Sequence, residues 1–296
     1  MLPTVRLLLS YHYFGSVDLC ELVNNYAGKV EVFADSGAFS ALTTGAVIKF
    51  ADYAAWLRQW GPLLTVKSSL DVIGDAAESR ANFERLREAG LPVIPVFHVG
   101  SDLVELKRLC AEHDYVALGG MVTRDATSVA RWLVQCFRIA REHGTVFHGF
   151  GQTNTKIIND FPFYSVDSTS WSTGLRFGSY PVWNHARRSI QNVRHGDLVQ
   201  AKKFAQYLKN CGADPVAFAR VGFALQGEKS LVDYHKERTM SLGVGTRTWL
   251  TYGDWLGKHH HVPPPAGFSD TGTVIYLAQA NTGDVRGTLR YLSEVL

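Results

Sequence analysis

Residues 63–100 read LLTVKSSLDVIGDAAESRANFERLREAGLPVIPVFHVG, and the fold turns on this stretch. The run 63–73 is mostly apolar and reads as a strand. AAESRANFERLREAG (76–90) reads as an amphipathic helix. Gly90-Leu91-Pro92 stops it, because glycine takes the left-handed conformation that ends a helix and proline cannot continue one. PVIPVFHVG (92–100) is a second apolar strand. Strand, helix and strand at this spacing form a βαβ unit, and such units build parallel sheets.

The same period runs from the N-terminus to about residue 170. VRLLLSYHY leads to VDLCELVNNY, and VEVFADSG to FADYAAWLRQW. PVIPVFHVG leads to SDLVELKRLCAEH, YVALGGM to TSVARWLVQCFRIAREHG, and VFHGFG to NTKIINDF, after which YSVDS follows. These strands are continuously apolar, as strands covered on both faces are. Seven such candidates without a GxGxxG after the first predict a (β/α)8 TIM barrel over a doubly wound sheet. The whole chain, 1–296, is expected to be one barrel domain, with residues 172–272 as an elaboration. The eighth strand is either VIYLAQA (274–280) or a segment near Tyr180–Trp183. Residues 197–211 and 214–226 read as helices.

Composition narrows the classes. A hydrophobic content of 46% supports a large core. No run of 18 or more apolar residues is present, so a membrane span is not expected, and a cytoplasmic location is the default. The four cysteines stand singly, with no CxxC pair to suggest a zinc knuckle or redox dithiol. Charge is uneven. Residues 1–171 carry 15 Lys+Arg against 18 Asp+Glu, whereas residues 172–296 carry 15 against 9. The second part is therefore a candidate surface for a polyanion.

In a barrel, function gathers where strands end. The predicted ends carry Asp35-Ser36-Gly37, Ser69-Leu70-Asp71, His98, Gly119-Gly120-Met121, His148-Gly149 and Asp167. One such aspartate is an ordinary cap, but three at equivalent ends of different strands point to a shared site. Neither His98 nor His148 lies in an HxH or HExxH pattern that would suggest a metal, and His259-His260-His261 reads as a polar loop before a proline run. Two acids beside an aromatic platform such as Phe39 suit chemistry at an anomeric carbon, in glycosidases and base-exchanging enzymes alike.

The ordered set DSGAF (35–39), SLDVIGD (69–75), VIPVFHVG (93–100), YVALGGM (115–121), FHGFGQTN (147–154) and YSVDSTSW (164–171) resembles the tRNA-guanine transglycosylases. It is most similar to their phage and bacterial DpdA-type relatives that modify DNA. The likeness covers roughly residues 30–172. It implies a TIM barrel that exchanges guanine for a 7-deazaguanine, the 7-cyano form (preQ0) being the expected base, with no metal or redox cofactor. By position it implies Asp167 as the nucleophile toward C1′ and Asp35 as the acid/base carboxylate. Asp71 would bind the base edge and Phe39 would stack on the base. Ser36, Gly119, Gly120, Met121 and Gly149 would line the base pocket. His98 and His148 stand where the family has a glutamine and a base-covering methionine. The zinc site that follows the barrel in tRNA-acting members is missing here, which favours double-stranded DNA as the partner. Arg187, Arg188, Lys202, Lys203 and Arg247 are the candidate phosphate contacts. A zinc-less tRNA transglycosylase and a glycoside hydrolase with an Asp pair remain the alternatives.

Overall fold

A computed structural model describes residues 2–194, 196–216 and 231–295. The helix expected over 214–226 lies mostly outside the described residues. In chain order the strands are Val5–Ser10 (β1), Val30–Asp35 (β2), Leu64–Lys67 (β3), Val96–His98 (β4), Tyr115–Gly119 (β5), Val146–Gly149 (β6), Ser165–Ser168 (β7), Ser179–Asn184 (β8), Ser189–Arg194 (β9) and Val274–Gln279 (β10).

Eight of them form one parallel sheet in the order β3-β2-β1-β10-β7-β6-β5-β4. The two ends of that order meet in a parallel bridge between Ser68 and Ile94. There Ile94 N–H donates to Lys67 O (2.8 Å) and Ser69 N–H to Ile94 O (2.9 Å). The sheet therefore curls round into a TIM-like α/β barrel. VIYLAQA supplies the eighth strand, pairing with β1 and β7. The alternative near Tyr180–Trp183 is instead one arm of an antiparallel hairpin, β8-β9. The hairpin forms a two-stranded sheet of its own, outside the barrel.

Side-chain alternation sorts the core into two layers. Leu8, Phe33, Val66, Tyr115, Tyr164 and Tyr276 pack together inside the barrel. Leu7, Leu9, Val32, Ala34 and Leu277, one residue out of phase, pack against the helices. This is the strand period of two acting on strands buried on both faces. The N-terminal end of the barrel is closed by Phe268, whose ring meets Tyr115 and Tyr164 edge-on. Arg6 pairs there with Glu31 (2.8 Å) and with Asp270.

Several βα loops end in capping aspartates. Asp75, Asp102 and Asp125 accept from the backbone N–H of Glu78, Val104 and Ser128. They satisfy the orphan donors of a helix N-terminus.

Between β7 and β10 the chain makes the hairpin, short helices at Leu198–Lys203 and Ala205–Asn210, and the long helix Leu231–His259. That helix runs from the mouth of the barrel to its floor. Gly245 lies against the backbone of Trp171, just past β7, while Gly257 lies against Thr273 O, just before β10.

Candidate active site

β2 carries Phe33 and Asp35 on its inner face, so the strand delivers a carboxylate to the C-terminal mouth. Asp35 Oδ2 accepts from Gly37 N–H (3.0 Å), and Ser68 Oγ approaches Oδ1 at 3.5 Å. Gly37 has φ +79°, and a Cβ there would meet His12 Cβ at 2.6 Å, so the turn after the strand demands glycine. Burial is the first cause pushing the Asp35 carboxyl up to about 8, followed by the negative charges of Asp71 and Asp167. By surface area Asp35 is only half-buried, whereas protein atoms surround it on all sides below the opening. Its place at the bottom of a bowl accounts for both.

Asp71 follows β3 and is buried. Ser36 Oγ donates to its Oδ1 (2.9 Å) and His98 Nε2 to its Oδ2 (2.9 Å). A carboxylate only accepts, so His98 carries its proton on Nε2. A Cβ on Gly119 would come within 2.6 Å of the His98 ring, so β5 must place a glycine there. Gly120 has φ +77°. Met121 is buried, and its Sδ receives Gln152 Nε2 at 3.7 Å. Gln152 Oε1 in turn accepts from Asn154 N–H, bracing the loop after β6.

Asp167, 5% exposed, stands on the inner face of β7. Its Oδ1 accepts from Gly151 N–H at 2.7 Å. His148 Nε2 lies 3.4 Å from the same oxygen, too poorly aligned for a hydrogen bond. Among the described residues Oδ2 has no hydrogen-bond partner. Gly149 faces the helices, where a Cβ would meet the Phe163 ring at 2.9 Å.

The structure thus brings Asp35, Asp71 and Asp167 to one mouth, close enough for the latter two to act on the titration of the first. Ser36, His98, Gly119 and Gly120 line it. Phe39, 47% exposed on the helix Ala38–Thr44, stands at its rim. His148 departs from the expectation of a ligand-covering residue. It is fully buried below the mouth, its ring against Phe33, Phe150 and Tyr276.

The basic residues divide. Lys202 and Lys203 are exposed on their helix. Arg187 and Arg188 are exposed in the turn of the hairpin, with Arg188 at φ 49°. That turn points away from the mouth. Thr173, near the end of β7, donates to Ser179 O at the start of β8, whereas Trp183 packs on Tyr252 and Trp255 further down the long helix. Arg247 does not belong to an open basic face. It is half-buried and interacts with Tyr291, Tyr207 and Cys211. Sequence reasoning passed over Arg194, which pairs with Ser179 and is exposed at the mouth-side end of the hairpin, near the exposed Phe177. Strand pairing alone reveals its position. Gly151 and Ser165 stand within FHGFGQTN and YSVDSTSW but gain a role only from contacts that cross between strands.

Among the described residues no group of three His, Cys, Asp or Glu side chains is arranged to hold a metal ion. No helix among them is long and apolar enough to cross a membrane. Fold and site together define a TIM-like barrel with three carboxylates at its C-terminal mouth. No protein-family model, curated protein or solved structure matches the chain.

Proposed function

We propose that this protein is a guanine transglycosylase acting on DNA, exchanging guanine for a free 7-deazaguanine, with 7-cyano-7-deazaguanine as the expected base. The reading rests on the division of labour among the carboxylates. Asp35, pushed up to about 8, carries a proton at neutral pH. Asp167 accepts the Gly151 backbone N–H at Oδ1 and leaves Oδ2 open toward the mouth. Two carboxyl groups with environments that differ in this way suit an acid/base and a nucleophile.

The target nucleotide flips out of the duplex, which costs roughly a few kcal/mol. Asp167 Oδ2 attacks C1′ as the C1′–N9 bond breaks, and the departing guanine takes the proton of Asp35. The sugar is then held as an ester of Asp167. An incoming 7-deazaguanine gives its N9 proton to Asp35, N9 attacks C1′, and the ester bond breaks to restore Asp167. Asp71, braced by Ser36 and His98, offers an acceptor to the base edge. Glycines at positions 119 and 120 allow close approach of backbone to a flat ring. The excess of Lys and Arg after residue 171 and Arg194 beside the mouth suit a polyanion, DNA and tRNA alike, and the lack of the tRNA-acting members' zinc-ligand pattern in the sequence favours DNA.

The test offers labelled guanine and 7-cyano-7-deazaguanine to the purified chain with duplex DNA and, separately, with tRNA. Label entering DNA is the expected result. Label entering tRNA alone would make the chain a tRNA transglycosylase. Sugar release from glycosides without exchange would make it a hydrolase.

A further inference from the structure

Below Asp167 runs a chain of polar side chains that the exchange chemistry above does not use. Tyr115 OH and Ser165 Oγ are 2.5 Å apart, and Ser165 Oγ and His148 Nδ1 are 2.6 Å apart. All three residues are buried in the barrel interior. Beyond them His148 Nε2 is buried without a hydrogen bond and stands 3.4 Å from Asp167 Oδ1. A buried unpaired ring nitrogen in a well-packed core asks for an explanation. Hydrogen bonds of catalytic groups are often long in empty enzymes and tighten once the substrate is bound.

The hydroxyls could run the relay in either direction, but only one direction keeps the His148 Nε2 lone pair from facing the Asp167 carboxylate oxygen 3.4 Å away. Tyr115 donates to Ser165, Ser165 donates to Nδ1 of a neutral imidazole, and the proton of His148 is left on Nε2, facing Asp167. We propose that His148 is a positioning residue for the nucleophile. Fixed in its Nε2–H form by Ser165 and Tyr115, it joins Gly151 in holding Oδ1 of Asp167, so that Oδ2 alone is presented to the mouth. The inference rests on the transglycosylase reading for its consequence, but the proton arrangement can be measured without any reaction.

Charge balance agrees with the arrangement. The titratable groups facing His148 are Asp167 on β7, Tyr276 on β10 and, through Ser165, Tyr115 on β5. Phe33 and Phe150 close the remaining sides. Burial lowers the His148 pKa, and the opposing pull of Asp167 does not restore it. The ring is therefore neutral at pH 7. When the ester forms at Oδ2, Oδ1 becomes a carbonyl oxygen; when the ester breaks, the carboxylate regains its charge. Two fixed donors on Oδ1 stabilise that returning charge and keep the leaving group in line.

The experiment has two arms. In the first, ring-¹⁵N-labelled histidine in the full chain reports the proton position of His148, its signal assigned by its loss in His148→Gln. Neutral Nε2–H is expected at pH 7 and above, its signal shifted by Asp167→Asn, with the other tautomer appearing in Ser165→Ala. An imidazolium or an Nδ1–H form at pH 7 in the parent overturns the proposal. The second arm follows base exchange. His148→Phe should lower kcat roughly 10- to 100-fold with KM for the base unchanged, and His148→Gln, which keeps an N–H near Nε2, should recover part of it. Exchange by His148→Phe at the parental rate overturns the proposal equally. If the parent itself exchanges no base, the functional reading falls, and the ring-nitrogen arm alone decides the proton arrangement.

Discussion

Gly151 donates its backbone N–H to Asp167 Oδ1 across 2.7 Å, although sixteen positions separate them in the chain. Asp167 is thus held from the neighbouring strand's loop and caps no helix. The capping aspartates nearby, Asp75, Asp102 and Asp125, each accept from an N–H two or three residues ahead.

Asp167→Asn removes the attacking oxygen's charge while preserving its shape. Exchange should fall by at least roughly 10³-fold. A covalent nucleic-acid adduct seen on denaturing gels with the parent should vanish, while thermal unfolding stays close to the parent's. A variant still exchanging base at the parental rate would place the nucleophile elsewhere.

Asp35 is raised in the folded state to about 8, above its ordinary value of 3.8. A raised carboxyl favours folding below its unfolded pKa and loses that advantage as pH climbs through the folded value. Stability should therefore decline between about pH 4 and 8. Asp35→Asn, which has no charge to bury, should unfold at a higher temperature than the parent at pH 8 and near the same temperature at pH 4. The rise from 3.8 to about 8 is worth roughly 5 kcal/mol, and about 1 kcal/mol moves Tm by roughly 2–4 °C in a chain of this order of size, so a gap on the order of ten degrees is expected. Calorimetry at the two pH values checks it, and exchange should be lost at both.

His98 and Asp71 act as one unit. Asp71→Asn weakens the paired Ser36 and His98 contacts and removes an acceptor for the base. KM for the free base should rise on the order of 10- to 100-fold, the equivalent of a lost charged hydrogen bond of about 1.5–3 kcal/mol. Gly119→Ala should act in the same direction, because its Cβ would meet the His98 ring at 2.6 Å. Initial rates at varied base concentration separate this from a change in kcat.

Arg194 stands at the mouth-side end of the β8-β9 hairpin, and Arg187 and Arg188 at its far turn. Arg194→Ala should weaken duplex binding and reduce the slope of log K against log salt by about 1. The double change at Arg187 and Arg188 should do less. Binding titrations at several salt concentrations decide this, and an equal or reversed ranking would move the nucleic-acid surface to the outer flank.

The architecture was legible because apolar strands and amphipathic helices alternate along the chain. That local rhythm, with right-handed crossovers, leaves few ways to arrange the sheet. Strand ends were also legible, so Asp35, Asp71 and Asp167 stood out before any coordinate was known. The eighth strand was not, because Val274–Gln279 and Ser179–Asn184 are both short apolar runs. Only pairing with β1 and β7 distinguishes them.

The sequence by itself determined that this chain builds a parallel barrel and sends carboxylates to the ends of several strands, since periodicity and strand length are local properties. The tertiary structure decided what surrounds each of them. It turned His148 inward beneath Asp167, drew Arg247 between helices, and carried the Arg187–Arg188 turn away from the mouth. Which atoms meet across strands depends on register and closure, and those are settled only when distant segments pack together.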